Sequence, residues 1–300
     1  MSAPTILCFG EILWDCLPAG LFAGGAPFNV GYHLHRHGAD VRIVSATGRD
    51  FLGDELDRRL RAWGLSTELV TRHHGLNTGT VIASVGDTGD AHYDITLSVA
   101  WDQIFVTQDS VQAAVGAQAL VFGSVAQRSQ FNRTALDRLL TVLPENALRV
   151  FDVNLRAPFD DLPLVRELAG RASVLKLNAA EAARLADGGE ENAGREESDA
   201  RTLAAQSNCP LVCITAGARG AGLLREGNWT WENGREVEVA DTVGSGDSFL
   251  AALLAGLLAP DRPADAELLR RACRLGEWVA TQRGATPAYG EDTPAQPLAK

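Results

Sequence analysis

Short apolar runs alternate with amphipathic stretches along most of the chain. Each run has the aliphatic and β-branched character of a strand that is buried on both faces. The clearest runs are TILCFG (5–10), VRIVSAT (41–47), ALVFGS (119–124), RVFDVN (149–154), SVLKLN (173–178) and PLVCITAG (210–217). Stretches between them, such as FLGDELDRRLRAWG and FNRTALDRLLTVL, carry apolar residues at helical spacing. This alternation predicts an α/β fold with a mostly parallel sheet flanked by helices on both faces.

Two segments depart from the alternation. Residues 77–97, NTGTVIASVGDTGDAHYDITL, contain two alternating runs around GDTGD, which is the pattern of a hairpin. We expect this hairpin to project from the parallel sheet as a small separate element. Residues 187–199, DGGEENAGREESD, are polar and acidic, and we interpret them as a solvated loop or helix start.

The composition is that of a globular protein. The chain has 300 residues, of which 46% are apolar and 22% charged, and we expect one domain over 1–300. The net charge of −11, without any basic run, argues against a nucleic-acid binder. We find no leader pattern and no apolar run of about 18 residues, so we expect a cytoplasmic protein without a membrane partner. The five cysteines lack the spacing of a disulfide framework.

The segment DTVGSGDSF (241–249) carries the most specific chemistry. It follows REVEVA (235–240), which has an alternating strand pattern, and leads into the apolar helix pattern DSFLAALLAGLLA. The small residues Gly244, Ser245 and Gly246 let backbone amides converge on one oxygen atom at the helix N-terminus. A helix N-terminus favours negative charge, so the sequence predicts an anion site here.

Asp247 lies in the first turn of that predicted helix and has two interpretations. It is either a helix cap or a general base beside an anion hole, which is the arrangement that phosphoryl transfer needs. The Walker sequence G-x-x-x-x-G-K-[ST] is absent, which excludes a P-loop NTPase.

DTVGSGDSF resembles the carboxyl-terminal signature of the ribokinase-like (PfkB) carbohydrate kinases, written D-T-x-G-A-G-D, with Ser245 in place of Ala. GGAPFNVGYHLHRHGADV (24–41) is similar to the family's amino-terminal signature. Further matches follow in order: GEILWD (10–15), FDVNLR (151–156), KLNAAE (176–181), TAGARGAGL (215–223) and GATP (284–287). The resemblance spans nearly the whole chain and, through GEILWD and DVNLR, is closest to bacterial fructokinases. It implies a ribokinase-like fold and an ATP-dependent sugar kinase that phosphorylates a primary hydroxyl, with D-fructose giving fructose 6-phosphate.

The resemblance also implies roles at the sugar. Asp247 matches the general base, and residues 244–246 match the anion hole. The sugar hydroxyls are assigned to the residues that match Asp15, Gly24, Gly25 and Asn29. A carboxylate and an amide suit paired hydroxyls, and glycine backbone admits the sugar closely. Without the resemblance, Asp15 is a strand-end turn residue and Asn29 a helix cap.

For the nucleotide, the resemblance places Asn178 and Glu181 near Mg²⁺ and its waters. Hard oxygen ligands suit Mg²⁺, which keeps several waters and bridges phosphate oxygens. The resemblance also implies a turn that lies against the phosphates and adenosine of ATP. Its residues match Thr215, Gly217 and Gly220. Arg156 is expected at the phosphates, with an exposed surface role as the alternative.

A monovalent cation is a further expectation from the resemblance. Asp241, Val243 and the loop around Gly284 match the residues that hold K⁺ beside the anion hole in many relatives. Ala288 stands where some relatives have a serine hydroxyl, so the expectation of K⁺ is weaker than that of Mg²⁺.

The hairpin and part of the first strands match the family's lid, which we expect from about residues 11–23 and 77–101. Such lids close over the sugar and exclude water. Two lids that clasp each other would make a homodimer, and a lid that covers only its own site is the alternative.

Two local features remain open. Many fructokinases have an Arg shortly after the lid hairpin, where this chain has SVAWDQI (98–104). Trp101 or Asp102 is expected to fill that space, Trp101 either against the sugar or in the core. His33, His35 and His37 form H-x-H-x-H without a nearby cysteine or carboxylate, so we expect surface or packing roles rather than metal binding.

Other functions were weighed against a fructokinase. Ribose, 2-keto-3-deoxygluconate and nucleoside kinases use the same fold, and pocket side chains rather than signatures separate them. A dinucleotide oxidoreductase would need G-x-G-x-x-G after the first strand, and CFGEILWD has a single glycine. A non-catalytic sugar sensor should lack the base or the anion hole, whereas Asp247 and the glycines are present.

Overall fold

The computed structural model describes residues 3–17, 20–85 and 91–294. The strands in this part of the chain are β1 (Thr5–Phe9), β2 (Leu13–Leu17), β3 (Gly20–Gly24), β4 (Asp40–Gly48), β5 (Val70–His73), β6 (Gly79–Val85), β7 (Ala91–Ile95), β8 (Ala119–Gly123), β9 (Leu148–Asp152), β10 (Val174–Asn178), β11 (Leu211–Thr215), β12 (Gly220–Arg225) and β13 (Asn228–Asn233). The α-helices are α1 (Ala26–Arg36), α2 (Phe51–Ala62), α3 (Gln108–Val115), α4 (Gln130–Val142), α5 (Leu162–Ala169), α6 (Ala179–Ala186), α7 (Glu196–Ser207), α8 (Ser245–Leu257) and α9 (Asp265–Ala280).

Nine strands form the main sheet, in the order β13–β12–β11–β10–β9–β8–β1–β4–β5. All neighbours from β11 to β5 are parallel, and β12 and β13 add an antiparallel hairpin at one edge. Each predicted apolar run contains one of the parallel strands. The mostly parallel sheet that the alternation predicts is therefore confirmed.

The sheet has an apolar core on each face. In β1, Leu7 and Phe9 point into one core, whereas Ile6 and Cys8 point into the other. The first core is completed by α3 to α7, and the second by α1, α2, α8 and α9. Burial on both faces explains why the strands of the sheet read as continuous apolar runs rather than as alternating ones.

A second sheet of four strands, in the order β3–β2–β6–β7, forms the lid. Its strands β6 and β7 are the antiparallel hairpin predicted from residues 77–97, and the GDTGD turn at 86–90 lies outside the described residues. Strand β2 pairs antiparallel with β3 and parallel with β6. This register puts Asp15 level with Val81 on one face of the lid, and Cys16 level with Leu21 and Ile82 on the other.

Polar contacts fix the base of the lid to α4 and to the segment between β8 and α4. The Arg128 guanidinium forms an ion pair with Asp102, at 2.7 Å, and donates to the carbonyl of Thr96 at 2.8 Å. The buried Asn132 amide of α4 donates to the carbonyls of Trp101 and Ala126, both at 2.8 Å, and accepts the Ile104 N–H at 2.9 Å. The lid is thus anchored at the point where the chain leaves it.

The expected strand REVEVA (235–240) is wrong, because the segment has no partner strand in the described structure. It runs along α9 instead: the Arg235 N–H and guanidinium bond Glu277, and the Ala240 N–H bonds the Ala280 carbonyl at 2.9 Å. Strands β5, β12 and β13 were not predicted. Residues 188–195 are irregular and α7 begins at Glu196, so a loop and a helix start lie where the acidic segment predicts them. The helix start is not solvated as expected, because Glu196 and Asp199 are buried and pair with Arg219 and Arg195.

In the described residues no helix is both long and apolar enough to cross a membrane. All five cysteines are free, and every one except Cys16 is buried.

The three bonds of Asn132 predict a stability effect. Asn132→Ala should lower the free energy of unfolding by about 2–4 kcal/mol, because it leaves three buried backbone groups without a partner. Urea unfolding measures this change, with the exposed Asn146→Ala as the control, which should stay within about 0.5 kcal/mol of the parent. A loss no larger than that of the control would contradict the anchoring role.

Candidate active site

A cavity of about 820 Å³ opens between the lid and the carboxyl ends of the central strands. This edge is where open parallel sheets bind their ligands. The structure brings most of the residues singled out from the sequence to its walls: Asp15, Gly25, Asn29, Arg156, Asn178, Glu181, Thr215, Gly217, Gly220, Val243, Gly244, Ser245, Gly246 and Asp247. Gly24, Trp101 and Asp241 do not line the cavity, although Gly24 packs against Asp15 and Asp241 bonds the Val243 N–H.

Helix α8 begins with an open N-terminus that faces the cavity. Gly244 is left-handed, with φ 79°, and a side chain there would come within 2.5 Å of the Ala285 Cα, so only glycine fits. Among the described residues, the N–H groups of Gly244, Gly246 and Asp247 have no hydrogen-bond partner. The Ser245 N–H instead closes a turn to the Thr242 carbonyl at 3.2 Å. Of the residues assigned to the anion hole, Gly244 and Gly246 thus have available amides and Ser245 does not, and the Asp247 amide is available beside them.

Asp247 does not cap α8, which has no side-chain cap hydrogen bond. Its Oδ2 accepts a hydrogen bond from Asn29 Nδ2 at 2.8 Å, which joins the two halves of the chain across the cavity. Burial, and then the negative charge of Asp152, raises the pKa of Asp247 to about 6. Lys176, the Asn29 hydrogen bond and Arg156 act in the opposite direction. A carboxyl with a pKa near 6 is suited to take up a proton at neutral pH.

Lys176 is a buried cation beside the anion hole. Its Nζ lies 3.0 and 3.2 Å from the two carboxylate oxygens of Asp152, and a methyl group on Gly246 would be 2.9 Å from it. Burial acts to lower the pKa of Lys176, but Asp152, Asp247 and Glu181 outweigh it and raise that pKa, so the ammonium stays charged. The chain has a single other lysine, the terminal Lys300. Positive charge therefore stands where an anion would bind.

The lid end of the cavity is acidic. Asp15, on β2, is half-buried, and burial together with Asp247 and Asp241 raises its pKa to about 7. Glu11 is 3% exposed and its Oε1 accepts the Ala26 N–H at 3.2 Å. Burial and the charge of Asp247 raise the pKa of Glu11 to about 7, against backbone hydrogen bonds that lower it. Gly24 packs against the Asp15 carboxylate and Gly25 against the backbone of Glu11, with no room for a side chain.

Trp101 is not placed where the sugar interpretation requires. It is fully buried, and the Arg128 guanidinium covers its ring at 4.0 Å from the centroid. The core alternative is therefore the one that the structure supports. Asp102 does not line the cavity either, because its carboxylate is bound by Arg128 and the Val99 N–H.

At the other end of the cavity, Asn178 and Glu181 form a capping box at the start of α6. Asn178 Oδ1 accepts the Glu181 N–H, and Glu181 Oε2 accepts the Asn178 N–H, both at 2.8 Å. Glu181 Oε1 also accepts the Leu155 N–H at 2.7 Å, so this buried carboxylate joins two loops. Burial raises its pKa, against the nearby Lys176. Arg156 is exposed on the wall that follows β9.

The predicted phosphate turn follows β11. The Ala216 N–H bonds the Gly220 carbonyl at 2.8 Å, and Gly217 and Gly220 both have positive φ, 57° and 121°. Thr215 donates its hydroxyl to the Leu177 carbonyl at 3.3 Å. The turn leaves glycine backbone on the cavity wall, as close approach of a ligand needs.

The oxygens of Asn178 and Glu181 fit a hydrated Mg²⁺ rather than a directly liganded one. Both carboxylate oxygens of Glu181 already accept a backbone N–H and keep one lone pair each for water. No group of three or more His, Cys, Asp or Glu residues is arranged to hold a metal in the part of the chain described here. This donor set suits an ion that binds mainly through phosphate oxygens and water.

Asp241 organises the loop at the back of the anion hole. Its Oδ1 accepts the Val243 N–H at 3.0 Å and its Oδ2 accepts the Gly284 N–H at 3.1 Å. His33 supports the same loop: its ring nitrogens bond the Ala285 carbonyl at 2.9 Å and the Tyr289 hydroxyl at 2.8 Å. Burial lowers the pKa of His33 to about 3, so the ring is neutral. The histidines of H-x-H-x-H therefore contribute packing, as predicted, with His35 bonded to the Trp63 carbonyl.

Sequence reasoning missed Glu11, Asp152 and Lys176. All three lie within motifs that the resemblance had matched, but none stood out as chemistry. A lysine within the apolar run SVLKLN was the available signal, because a buried lysine needs a charged partner. Burial of Glu11 had no such signal, since GEILWD is compatible with an exposed loop.

Comparison with known proteins finds related sequences and similar folds. The model of the pfkB family carbohydrate kinases matches residues 11–291. The chain is 28% identical over 303 residues to the fructokinase of Escherichia coli, with 96% of each protein covered. The Vibrio cholerae O395 fructokinase, solved with fructose, ADP and calcium, superposes with a TM-score of 0.81 at 22% identity, covering 99% of this chain and 97% of that one. The Xylella fastidiosa fructokinase with bound ATP gives 0.80 at 23% identity, covering 98% and 95%.

The Lys176 ammonium predicts a measurable effect on Asp247. Lys176→Met should raise the pKa of Asp247 above 6, because it removes a positive charge that favours the carboxylate. The carboxyl ¹³C shift of Asp247, followed by NMR as a function of pH, measures this. Lys300→Met is the control and should leave the titration unchanged. An unchanged or lower pKa in Lys176→Met would contradict the electrostatic role.

Proposed function

The chain belongs to the pfkB family of carbohydrate kinases, and we propose that it transfers the γ-phosphoryl group of ATP to a sugar primary hydroxyl, with D-fructose as the first candidate acceptor. The observation that carries the proposal is the open N-terminus of α8 beside Asp247. Three unpartnered amides and a carboxyl with a pKa of about 6 face one cavity. That pairing suits phosphoryl transfer, which depends on positioning and charge stabilisation.

In the proposed reaction, Asp247 accepts the proton of the sugar hydroxyl. The hydroxyl oxygen forms a bond to the γ-phosphorus, the bond to the β–γ bridging oxygen breaks, and ADP leaves. Asn29 holds the carboxylate through its 2.8 Å hydrogen bond. The amides of Gly244, Gly246 and Asp247 and the Lys176 ammonium stabilise the negative charge on the transferring group. Because Asp247 must be ionised, activity should fall as the pH drops below about 6.

Two cations belong to the proposal. When bound, Mg²⁺ neutralises charge on the phosphate oxygens, and Asn178 and Glu181 would hold its water shell. K⁺ would bind at Asp241 and the Val243 backbone, near Gly284. Since both Asp241 oxygens already accept an N–H and Ala288 offers no hydroxyl, we propose that K⁺ is the less important ion.

The acceptor is identified by measuring ADP release from Mg-ATP with fructose, ribose, 2-keto-3-deoxygluconate and adenosine. Turnover on fructose above the others supports the fructokinase proposal. Preference for another acceptor would keep the mechanism and replace the substrate. No turnover on any of them, with ATP binding intact, would contradict the kinase proposal for this set of acceptors.

Asp247→Asn tests the general base. We expect kcat to fall by about 10²–10⁴-fold, which is the range for a lost general base, while calorimetric ATP binding and thermal stability stay close to the parent. Asp261→Asn, at an exposed surface position, serves as the control. Near-full turnover of Asp247→Asn would falsify the assignment.

We also propose a homodimer formed through the lids. The outer face of the lid carries Leu21 and Ile82, which are 48% and 51% exposed and flank Cys16 in one row across the sheet. Asp15 and Val81 point to the other side, into the cavity. An apolar row on the outer face of a small sheet fits contact with a second copy.

Ile82→Glu tests the lid interface. Light scattering after gel filtration should give a dimer for the parent and a monomer for the variant, because two carboxylates would be buried without partners. Val115→Glu, at a residue of similar exposure on α3, should remain a dimer. A monomeric parent, or a dimeric Ile82→Glu, would contradict the proposal.

A further inference from the structure

The lid end of the cavity contains hydrogen-bond acceptors that the protein leaves without a donor. Glu11 uses Oε1 for the Ala26 N–H, but its Oε2 has no partner among the described residues. Asn29 donates Nδ2 to Asp247, and its Oδ1 is also unpartnered. Both side chains are 3% exposed and line the cavity. Buried acceptors without donors destabilise a protein, so a ligand that donates hydrogen bonds here is favoured.

The same end carries an excess of negative charge. Glu11, Asp15 and Asp247 lie close enough that Asp247 raises the pKa of both other carboxyls. This repulsion acts in a cavity, where water screens charges less than at the surface.

The cations on the described cavity wall do not cancel this charge. They are Arg156, Lys176 and Arg235. Lys176 is paired with Asp152 and Arg235 with Glu277. Arg156 is therefore the one cation on the described cavity wall that is not ion-paired, and it faces the three carboxyl groups of Glu11, Asp15 and Asp247. Arg128 does not line the cavity, because its guanidinium is paired with Asp102 and covers Trp101. Its charge nevertheless reaches Glu11 and acts to lower the pKa of that carboxyl.

The remaining contacts at this end are apolar. Leu13, Val81, Ile95 and Val125 line the cavity around the carboxylates, and Leu97, 62% exposed, follows the lid hairpin. Such walls can cover the carbon face of a sugar, but they offer no donor to a carboxylate or phosphate.

We infer that the acceptor is a polyhydroxylated sugar without an anionic group, and that Glu11 determines this specificity by accepting a hydrogen bond from one of its hydroxyls. The inference rests on the proposed sugar kinase function and narrows it. A sugar hydroxyl can donate a hydrogen bond to Glu11 Oε2 or Asn29 Oδ1, which have no donor among the described residues. An anionic group would bring a further negative charge to a site where three carboxyl groups face one unpaired cation, Arg156, which is rejection by an unfavourable contact.

A matched pair of sugars tests the charge. 2-Keto-D-gluconate is D-fructose with the C1 hydroxymethyl group replaced by a carboxylate, and it keeps the primary hydroxyl at C6. We expect kcat/KM for 2-keto-D-gluconate to be at least about 100-fold below that for fructose. A ratio within about tenfold would overturn the inference. If another neutral sugar is the best acceptor, its own aldonate or ketoaldonate replaces 2-keto-D-gluconate.

Glu11→Gln tests the residue. We expect KM for the best neutral sugar to rise about tenfold or more, KM for ATP to change less than about twofold, and the ratio between neutral and anionic sugar to narrow. Glu145→Gln, at an exposed position without an ion pair, should match the parent. Asp15→Asn, on the half-buried lid strand, gives a second readout if Glu11→Gln fails to fold. An unchanged sugar KM and an unchanged ratio in both variants would overturn the role of these carboxylates.

Calorimetric binding of the two sugars without ATP separates this inference from the proposed function. Binding of fructose with no detectable binding of 2-keto-D-gluconate supports the inference even if turnover is absent. If fructose binds in this way but is not phosphorylated, the kinase proposal is contradicted and the inference about the acceptor is not. Tighter binding of 2-keto-D-gluconate than of fructose would overturn the inference whether or not the enzyme turns over.

Discussion

The contact between Gly244 and Ala285 determines how α8 begins, and the geometry of the cavity depends on it. A left-handed residue packed this closely against a second loop allows the chain to enter the helix with three amides that have no partner in the described part of the chain. The apolar body of α8 is buried against α1 and α9, so the field of its N-terminus has a fixed direction. The loop that supplies Ala285 is itself held by Asp241 and His33.

Charge balance around that N-terminus involves residues from separate parts of the chain. Asp152 and Lys176 come from neighbouring strands, Asn29 from α1 and Asp247 from α8. Burial is the main cause that raises the pKa of Asp247, and the Lys176 ammonium and the Asn29 amide limit the rise. The arrangement keeps one proton acceptor ionised near neutral pH while the adjoining wall is positive. It does so without a cluster of metal-binding side chains among the described residues.

Much of the fold and part of the candidate site were predictable from the sequence, because the periodicity of apolar residues and short sequence motifs are local properties. The parallel sheet followed from apolar runs, the hairpin of the lid from alternation, and the open N-terminus of α8 from small residues before a helix. The strand predicted for REVEVA was wrong because an alternating pattern does not reveal whether a partner strand exists. The segment bonds α9 instead of a neighbouring strand. Trp101 was ambiguous because either a sugar or a cation covers an indole ring, and Arg128, distant in sequence, covers it here. The acceptors of Glu11 and Asn29 depend on tertiary burial, which no local pattern encodes.

The use of arginine almost everywhere has a chemical consequence. Apart from Lys300, the ε-amino chemistry of the chain is confined to Lys176, on the wall of the cavity. Acetylation or carbamylation of that amine would remove the positive charge beside Gly246 and leave Asp152 buried without its counter-ion. Arginine side chains do not react with such reagents, so the competing targets are Lys300 and the N-terminal amine of the chain. The extent to which an amine-directed reagent modifies Lys176 would therefore report whether the cavity is occupied. A bound nucleotide would be detected because it protects the Lys176 amine.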